Sequence, residues 1–356
     1  MAEKSPSTPT NISAAITTGS SFKRHYRPYY TKKQIATLNS VKKLGPLASK
    51  ETTARYSSCK FMQDVGRKLG FPQKTISTSQ ALYHRFYLYY SIKDYSPQVR
   101  EEENLDDTVL TENKNKDISV TCLFVASKIE ETIKKLKDIF VAVHSVKYPD
   151  SKELDPEHIA EDRKRRIISY EKLVLETACF NFQLRHPYEY VIKFTKWLKE
   201  MEPSLKDKQL AEKAYGIAVD SYKTSLCIEY PPHTIAAGCV YLATLFLKDQ
   251  DGTIEKLIKD RPWDQYFLSR MDDIEDVTQQ ILDLYIATNS RHDVGKYTKL
   301  KIMLNEQAQQ RGPDPYLDEI SKIELSSMAS NSNIRKMAAA LDEVNTNQHT
   351  VSYHFG

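Results

Sequence analysis

The chain has 356 residues, a formal net charge of +4 carried by 51 basic and 47 acidic side chains, and 40% hydrophobic content. That length suffices for two domains with real cores, and the near balance of charge excludes a wholesale nucleic-acid binder. Only ten glycines occur, in no phosphate-cradling run, and long periodic segments dominate, so an all-α protein is expected. The five cysteines, at 59, 122, 179, 227 and 239, form no CxxC pair and read as reduced core residues. The start of the chain shows no secretory apolar region and no segment offers eighteen consecutive apolar residues, so a soluble intracellular protein is expected.

Residues 1–21 are rich in Ser, Thr and small side chains and are expected to be a disordered tail. The arm 22–50 carries eight Lys or Arg and no acid, interleaved with aromatics. It suits either contact with nucleic acid or an acidic protein, or a helix after Pro28 that lays Tyr29, Tyr30, Ile35 and Leu38 on the core. Apolar spacing from Ala54 to Leu69 predicts a first helix over Glu51–Leu69, ended by Gly70. Pro72 and Thr75 open a second helix containing Ala81, Leu82, Phe86 and Leu88. From Val99 to Asp117 seven acids face three bases without apolar periodicity, which predicts a solvated insertion.

The segment Asp117–Ile133, DISVTCLFVASKIEETI, is apolar around nearly its whole circumference, so other helices must cover more than one of its sides. It stops at Lys128, Ile129, Glu130 and Glu131, where a partner is expected to meet it. A fourth helix is predicted over Lys134–Val143, a polar insertion over Val146–Pro156, and a fifth helix from Glu157 whose buried face holds Ile167, Tyr170, Val174, Leu175 and Ala178. Beyond His186 and Pro187 five more helices are predicted at Tyr188–Met201, Leu205–Leu226, His233–Leu247, Thr253–Asp260 and Asp272–Thr288. Within them GCVYLATLF parallels TCLFVASKI, pairing Cys122–Ser127 with Cys239–Thr244, which reads as an internal duplication. The second copy lacks the trailing Lys and Glu residues. Residues 291–356 hold one more amphipathic helix and then a polar, mobile stretch.

The nine histidines form no metal-ligand cluster, and GxSxG and Gly-rich loops are missing, so no catalytic, metal or cofactor residue is assigned. His84 and His186 lie beside aromatic clusters and read as satisfied structural histidines.

Four segments in order, ALYHRFY, LFVASKIEET, YEKLVLETACFNF and RHPYEYVIKF, resemble the cyclin box of the transcriptional cyclins over roughly residues 50 to 290. RPYYTKKQI and the Lys134–Arg166 region are most similar to the cyclin subunits of fungal kinases for the RNA polymerase II C-terminal domain (CTD). The resemblance implies two consecutive five-helix cyclin boxes, 51–184 and 185–290. It implies that Lys128 and Glu171 hold the regulatory helix region of a cyclin-dependent kinase, an ammonium and a carboxylate satisfying unpaired backbone groups at a helix end. Ile129, Glu131, Leu175, Phe180 and Phe182 would surround them, with Phe124 either in this set or purely in the core. Where cell-cycle cyclins carry an MRAIL-type docking patch this chain has ARYSSCKF, which puts RxL-substrate docking in doubt.

The expected function is thus a nuclear, non-catalytic activator of a CTD kinase that promotes transcription elongation and mRNA processing, with a small third subunit admitted by the same resemblance and no cofactor, membrane or direct nucleic-acid partner. The alternatives are a cyclin L- or K-type subunit of another transcription or splicing kinase, and a TFIIB-like DNA-binding protein. Against the latter stand the missing zinc ribbon and the lack of basic residues concentrated in both repeats.

Overall fold

In the computed structural model the described residues are 26–38, 48–91, 107–152, 161–202, 207–247, 263–288 and 291–311, and they contain helices and turns but no strand. In chain order the helices are α1 (Lys32–Thr37), α2 (Ala48–Lys68), α3 (Gln73–Tyr89), α4 (Asp107–Ile129), α5 (Leu136–Lys147), α6 (Glu161–Thr177), α7 (Tyr188–Met201), α8 (Asp207–Ser221), α9 (Leu226–Glu229), α10 (Pro232–Leu247), α11 (Trp263–Tyr266), α12 (Met271–Thr288) and α13 (Arg291–Arg311). The expected tail 1–21, the helix Thr253–Asp260 and the polar stretch after residue 311 lie outside the described residues.

Helices α2 to α6 make the first bundle. Its centre is the apolar half of α4, where Ile118, Val120, Cys122, Leu123, Val125 and Ala126 are each at most 1% exposed. They pack among Met62, Phe86, Phe140, Ile167 and Val174 of the four surrounding helices. A fully buried side chain of this kind contributes about 1.5–3 kcal/mol relative to exposure, so the helix is held by its surroundings rather than by propensity. The insertion expected over Val99–Asp117 is corrected in part: α4 already begins at Asp107. Once the buried half of α4 nucleates, each further residue adds a backbone hydrogen bond and needs no apolar face, so periodicity was blind to this extension. Asp117 closes the bundle, receiving Arg163 Nε at 3.0 Å and Arg166 Nη2 at 3.3 Å, which ties the charged start of α6 to α4.

The second bundle repeats the plan around α10, where Cys239, Val240, Leu242 and Ala243 occupy the places of Cys122, Leu123, Val125 and Ala126 and are equally buried. Phe194 stacks on Phe267 at 3.8 Å, and Tyr241 on Trp263 at 5.6 Å. The helix expected over Leu205–Leu226 is divided: α8 stops at Ser221, a turn follows, and α9 restarts at Leu226. Helix α13 lies on α12 through the buried Leu304.

Helix α3 joins the two bundles. Every residue from Thr75 to Leu88 is buried, including Thr75, Ser77, Thr78, Gln80, His84 and Arg85. A helix polar along one side yet wholly enclosed must find its partners in the protein. The basic arm supplies some of them. Arg85 donates to the carbonyls of Arg27 (3.0 Å) and Pro28 (2.6 Å) and sits 5.0 Å over the Tyr26 ring. The arm then crosses to the second bundle, where Tyr30 N donates to Ile228 O at 2.8 Å and Lys32 pairs with Asp276. Thr31 and Gln34 form a capping box that starts α1. Of the four arm side chains expected on the core, Tyr30 is buried and Ile35 and Leu38 pack beside it, whereas Tyr29 remains 37% exposed.

Gly238 is where α10 and α12 approach most closely. A Cβ there would lie 2.5 Å from Val277 Cγ1 and 3.3 Å from the Ile274 carbonyl oxygen, whereas one at Gly216, on the outer face of α8, would meet nothing within 4 Å. Gly238→Ala is therefore expected to lose about 1–3 kcal/mol by overpacking. Gly216→Ala should gain about 0.5–1 kcal/mol from helix propensity. Urea unfolding of the two variants checks this opposition, and equal effects would count against the packing account.

Candidate partner-binding face

Two helix ends build one edge of the first bundle. Helix α4 finishes with Thr132 N donating to Ser127 O (2.9 Å) and Glu131 N to Lys128 O (3.3 Å), with Glu131 left-handed at φ 55°. Helix α6 finishes the same way: Phe180 N donates to Leu175 O (3.1 Å) and Cys179 N to Glu176 O (3.0 Å), with Cys179 at φ 48° and Phe180 at φ 53°. Both are Schellman ends, which usually place glycine in the left-handed position. A side chain there costs about 1–2 kcal/mol per residue, so these turns are held by what surrounds them.

Lys128, in the last turn of α4, and Glu171, in the middle of α6, meet at this edge with Nζ to Oε1 at 2.7 Å. Their side chains are 44% and 20% exposed. Lys128 Nζ also stands 4.0 Å over the Phe124 ring, so Phe124 is half-buried and serves both the core and the cation. An exposed pair of this kind contributes about 0–1 kcal/mol to folding, too little to explain it as a device of stability.

The other sequence-predicted residues divide by burial. Ile129 and Leu175 lean on the first core, Glu131 is exposed, and Phe182 is 44% exposed with its ring edge-on to Phe180 at 6.4 Å. Two exposed apolar residues join them that the sequence reading left out: Ile133 (73%) just beyond α4 and Ile168 (58%) one turn before Glu171. Ile168 shares a helical face with Glu171 and Leu175, and its place off the buried face of Ile167, Tyr170 and Val174 was the signal that could have found it.

Glu130, in contrast, is turned inward, its side chain 7% exposed. It accepts from Lys74 Nζ and from Thr78 Oγ1, each at 2.7 Å. Because Thr78 spends its proton on Glu130, it accepts from His186 Nε2 at 3.1 Å, and His186 Nδ1 then accepts from the Tyr222 hydroxyl at 2.5 Å. On the other side of Tyr222, its carbonyl accepts from His84 Nε2 at 2.9 Å. Neutral imidazoles are required throughout. Burial, reinforced by Arg55, lowers the His84 pKa to about 3; burial lowers that of His186 to about 4, with nearby Glu130 opposing and Lys74 adding to the shift. The end of α4 is thereby fixed to the seam between the bundles.

Two successive five-helix bundles, each enclosing its third helix, are the cyclin fold. Residues 26–183 match the family described as "Cyclin, N-terminal domain", and this part of the chain belongs to that family. The chain is 33% identical over 267 residues to Cyclin-T1-4 of Arabidopsis thaliana, covering 73% of this chain and 44% of that protein. It is 29% identical over 286 residues to the CTD kinase subunit beta of Schizosaccharomyces pombe, covering 79% and 74% respectively. It spans less than half the length of the plant cyclins it matches. In fold it resembles a chain of the yeast RNA Pol II CTD kinase CTDK-1 complex, with TM-score 0.55 and 22% identity over 82% of this chain and 85% of that one.

The histidine network sets a pH dependence. In the unfolded chain both imidazoles take a proton near the ordinary value of about 6.5, whereas the folded pKa values are about 4 and about 3. Between these limits the unfolded state binds more protons, so stability falls as pH falls from 6.5, by up to about 1.4 kcal/mol per pH unit for each histidine. Urea unfolding of wild type and His186→Asn at pH 7, 6 and 5 should show the variant's slope reduced by about one proton; equal slopes would refute the neutral-imidazole assignment.

Proposed function

We propose that the chain is the regulatory, non-catalytic subunit of a cyclin-dependent kinase that phosphorylates the serine-rich repeats of the RNA polymerase II CTD in the nucleus. The observation that carries this reading is the exposed Lys128–Glu171 pair, set between two left-handed helix ends and rimmed by Ile133, Ile168 and Phe182. The names of the relatives support it: cyclin T and a CTD kinase beta subunit.

On this reading the apolar rim buries against the kinase regulatory helix while Lys128 and Glu171 take up unpaired carbonyls and amides at its end. The ammonium has three donors, of which Glu171 uses one, and the carboxylate can accept several bonds, so the pair can receive a partner without first separating. Pressing the regulatory helix inward completes the kinase's own Lys–Glu pair around ATP, and phosphoryl transfer takes place in the partner. The glutamate turned inward, Glu130, keeps the α4 end in place.

Mixing purified chain and cognate kinase tests this. The chain alone should leave heptad-repeat peptides unphosphorylated and should stimulate the kinase. Lys128→Ala and Glu171→Ala should each weaken kinase binding by roughly thirtyfold or more, the cost of stranding one member of a desolvated pair. Their melting curves should move by the equivalent of about 0.5 kcal/mol or less. The double variant should lose less than the sum of the singles, since both hold one segment. Unchanged affinity in folded variants, or phosphorylation by the chain alone, would sink the reading.

A further inference from the structure

On another side of the first bundle a cavity of about 360 Å³ lies between the end of α2 and one face of α5. Its α5 wall is Asp138, Val141, Ala142 and Ser145, spaced to share one helical side, and its far wall is Lys68 and Leu69. The turn after α5 closes it, folded back by Ser151, whose backbone amide and hydroxyl both donate to the Tyr148 carbonyl at 3.2 and 2.9 Å. That turn brings Pro149 and Lys152 to the rim, with His144 beneath. The floor of Leu69, Val141, Ala142 and Pro149 is apolar.

The charge of this cavity can be weighed. Lys68 and Lys152 line it, Lys147 stands 5.2 Å over the bordering Tyr148 ring, and Asp138 is the opposing carboxylate. Lys68, Lys152 and Asp138 form no ion pair among the described residues. The carboxyl ends of α2 and α5 also point this way, each worth about −0.5 charge at most. That of α2 is partly spent, because Gly70 N and Phe71 N donate to the carbonyls of Arg67 and Gly66. Three ammonium groups against one carboxylate and two half-charges leave the cavity cationic by about one charge.

We propose that this cavity binds a phosphorylated peptide, the phosphate of a phosphoserine or phosphothreonine lying between Lys68 and Lys152 and the apolar residue beside it resting on Leu69, Val141, Ala142 and Pro149. Lysines bind phosphate as point charges and impose little geometry, which suits a mouth open to an extended chain. The site lies away from the Lys128–Glu171 pair and does not depend on the kinase reading.

The test is fluorescence anisotropy with the full chain and a labelled peptide carrying one phosphoserine followed by proline. The phosphopeptide should bind at least about tenfold more tightly than its unphosphorylated twin, and inorganic phosphate should compete weakly because it lacks the apolar contact. Lys68→Glu and Lys152→Glu should each lower phosphopeptide affinity at least about tenfold, whereas Lys172→Glu, an exposed charge on α6, should change it less than about twofold. Circular dichroism melting verifies that the variants fold, and Lys68→Gln, which removes charge without reversing it, gives the intermediate loss if a variant is unstable. Equal binding of the two peptides, equal loss in Lys172→Glu, competition by inorganic phosphate as strong as by peptide, or stronger competition by single-stranded RNA would each overturn the proposal.

Discussion

Tyr222 joins the two bundles twice, once through its hydroxyl to His186 and once through its carbonyl to His84. Neither bond survives protonation of its imidazole unchanged, and neither histidine has water to turn to. Around this residue α3 buries a side that would otherwise be a helix surface: Ser77 meets the Tyr188 hydroxyl, Thr78 relays His186 to Glu130, and Arg85 holds the arm's carbonyls. An unpaired buried polar group costs about 1–3 kcal/mol, so this side of α3 has value only when the second bundle and the arm are both in place. The seam is accordingly specified by hydrogen-bond matching, while each bundle interior is specified by apolar packing.

The apolar interiors were legible in the sequence and the seam was not. The enclosed segments of α4 and α10 announce themselves by being apolar all round, and their likeness to one another reveals the duplication. The same criterion made α4 look like the centre of the molecule, although α3 is the helix on which both bundles and the arm converge. Its Thr, Ser, Gln and His residues read as a solvent face, because hydropathy cannot distinguish a polar group facing water from one facing a carbonyl. The basic arm posed the same difficulty in reverse. Its charge excess suggested an external acidic partner, yet its docking rests largely on main-chain carbonyls offered to Arg85 and on Tyr30, with only Lys32 answered by an acid.

The partner-binding face was legible in part. Lys128 and Glu171 are forty-three positions apart, and only the family resemblance paired them; the 2.7 Å contact is what three dimensions add. What periodicity missed was the difference between the adjacent glutamates. Glu130 still belongs to the helix end and points to Thr78, whereas Glu131 occupies the left-handed position and faces outward. A change of hand at one residue separates a structural carboxylate from an exposed one, and such a change leaves no trace in composition when glycine is not used to make it.

The internal duplication has a consequence of a different kind. Two copies that merely stood side by side could be cut apart at the linker before His186, each retaining its own interior. Here the cut would strand His84, Thr78 and Arg85 on one fragment and Tyr222 and Ile228 on the other, while the arm that crosses between them begins ahead of both. The linker is thus a boundary in ancestry but not in mechanics. The halves have become interdependent parts of one molecule, and substitutions in the second copy are constrained by a helix of the first.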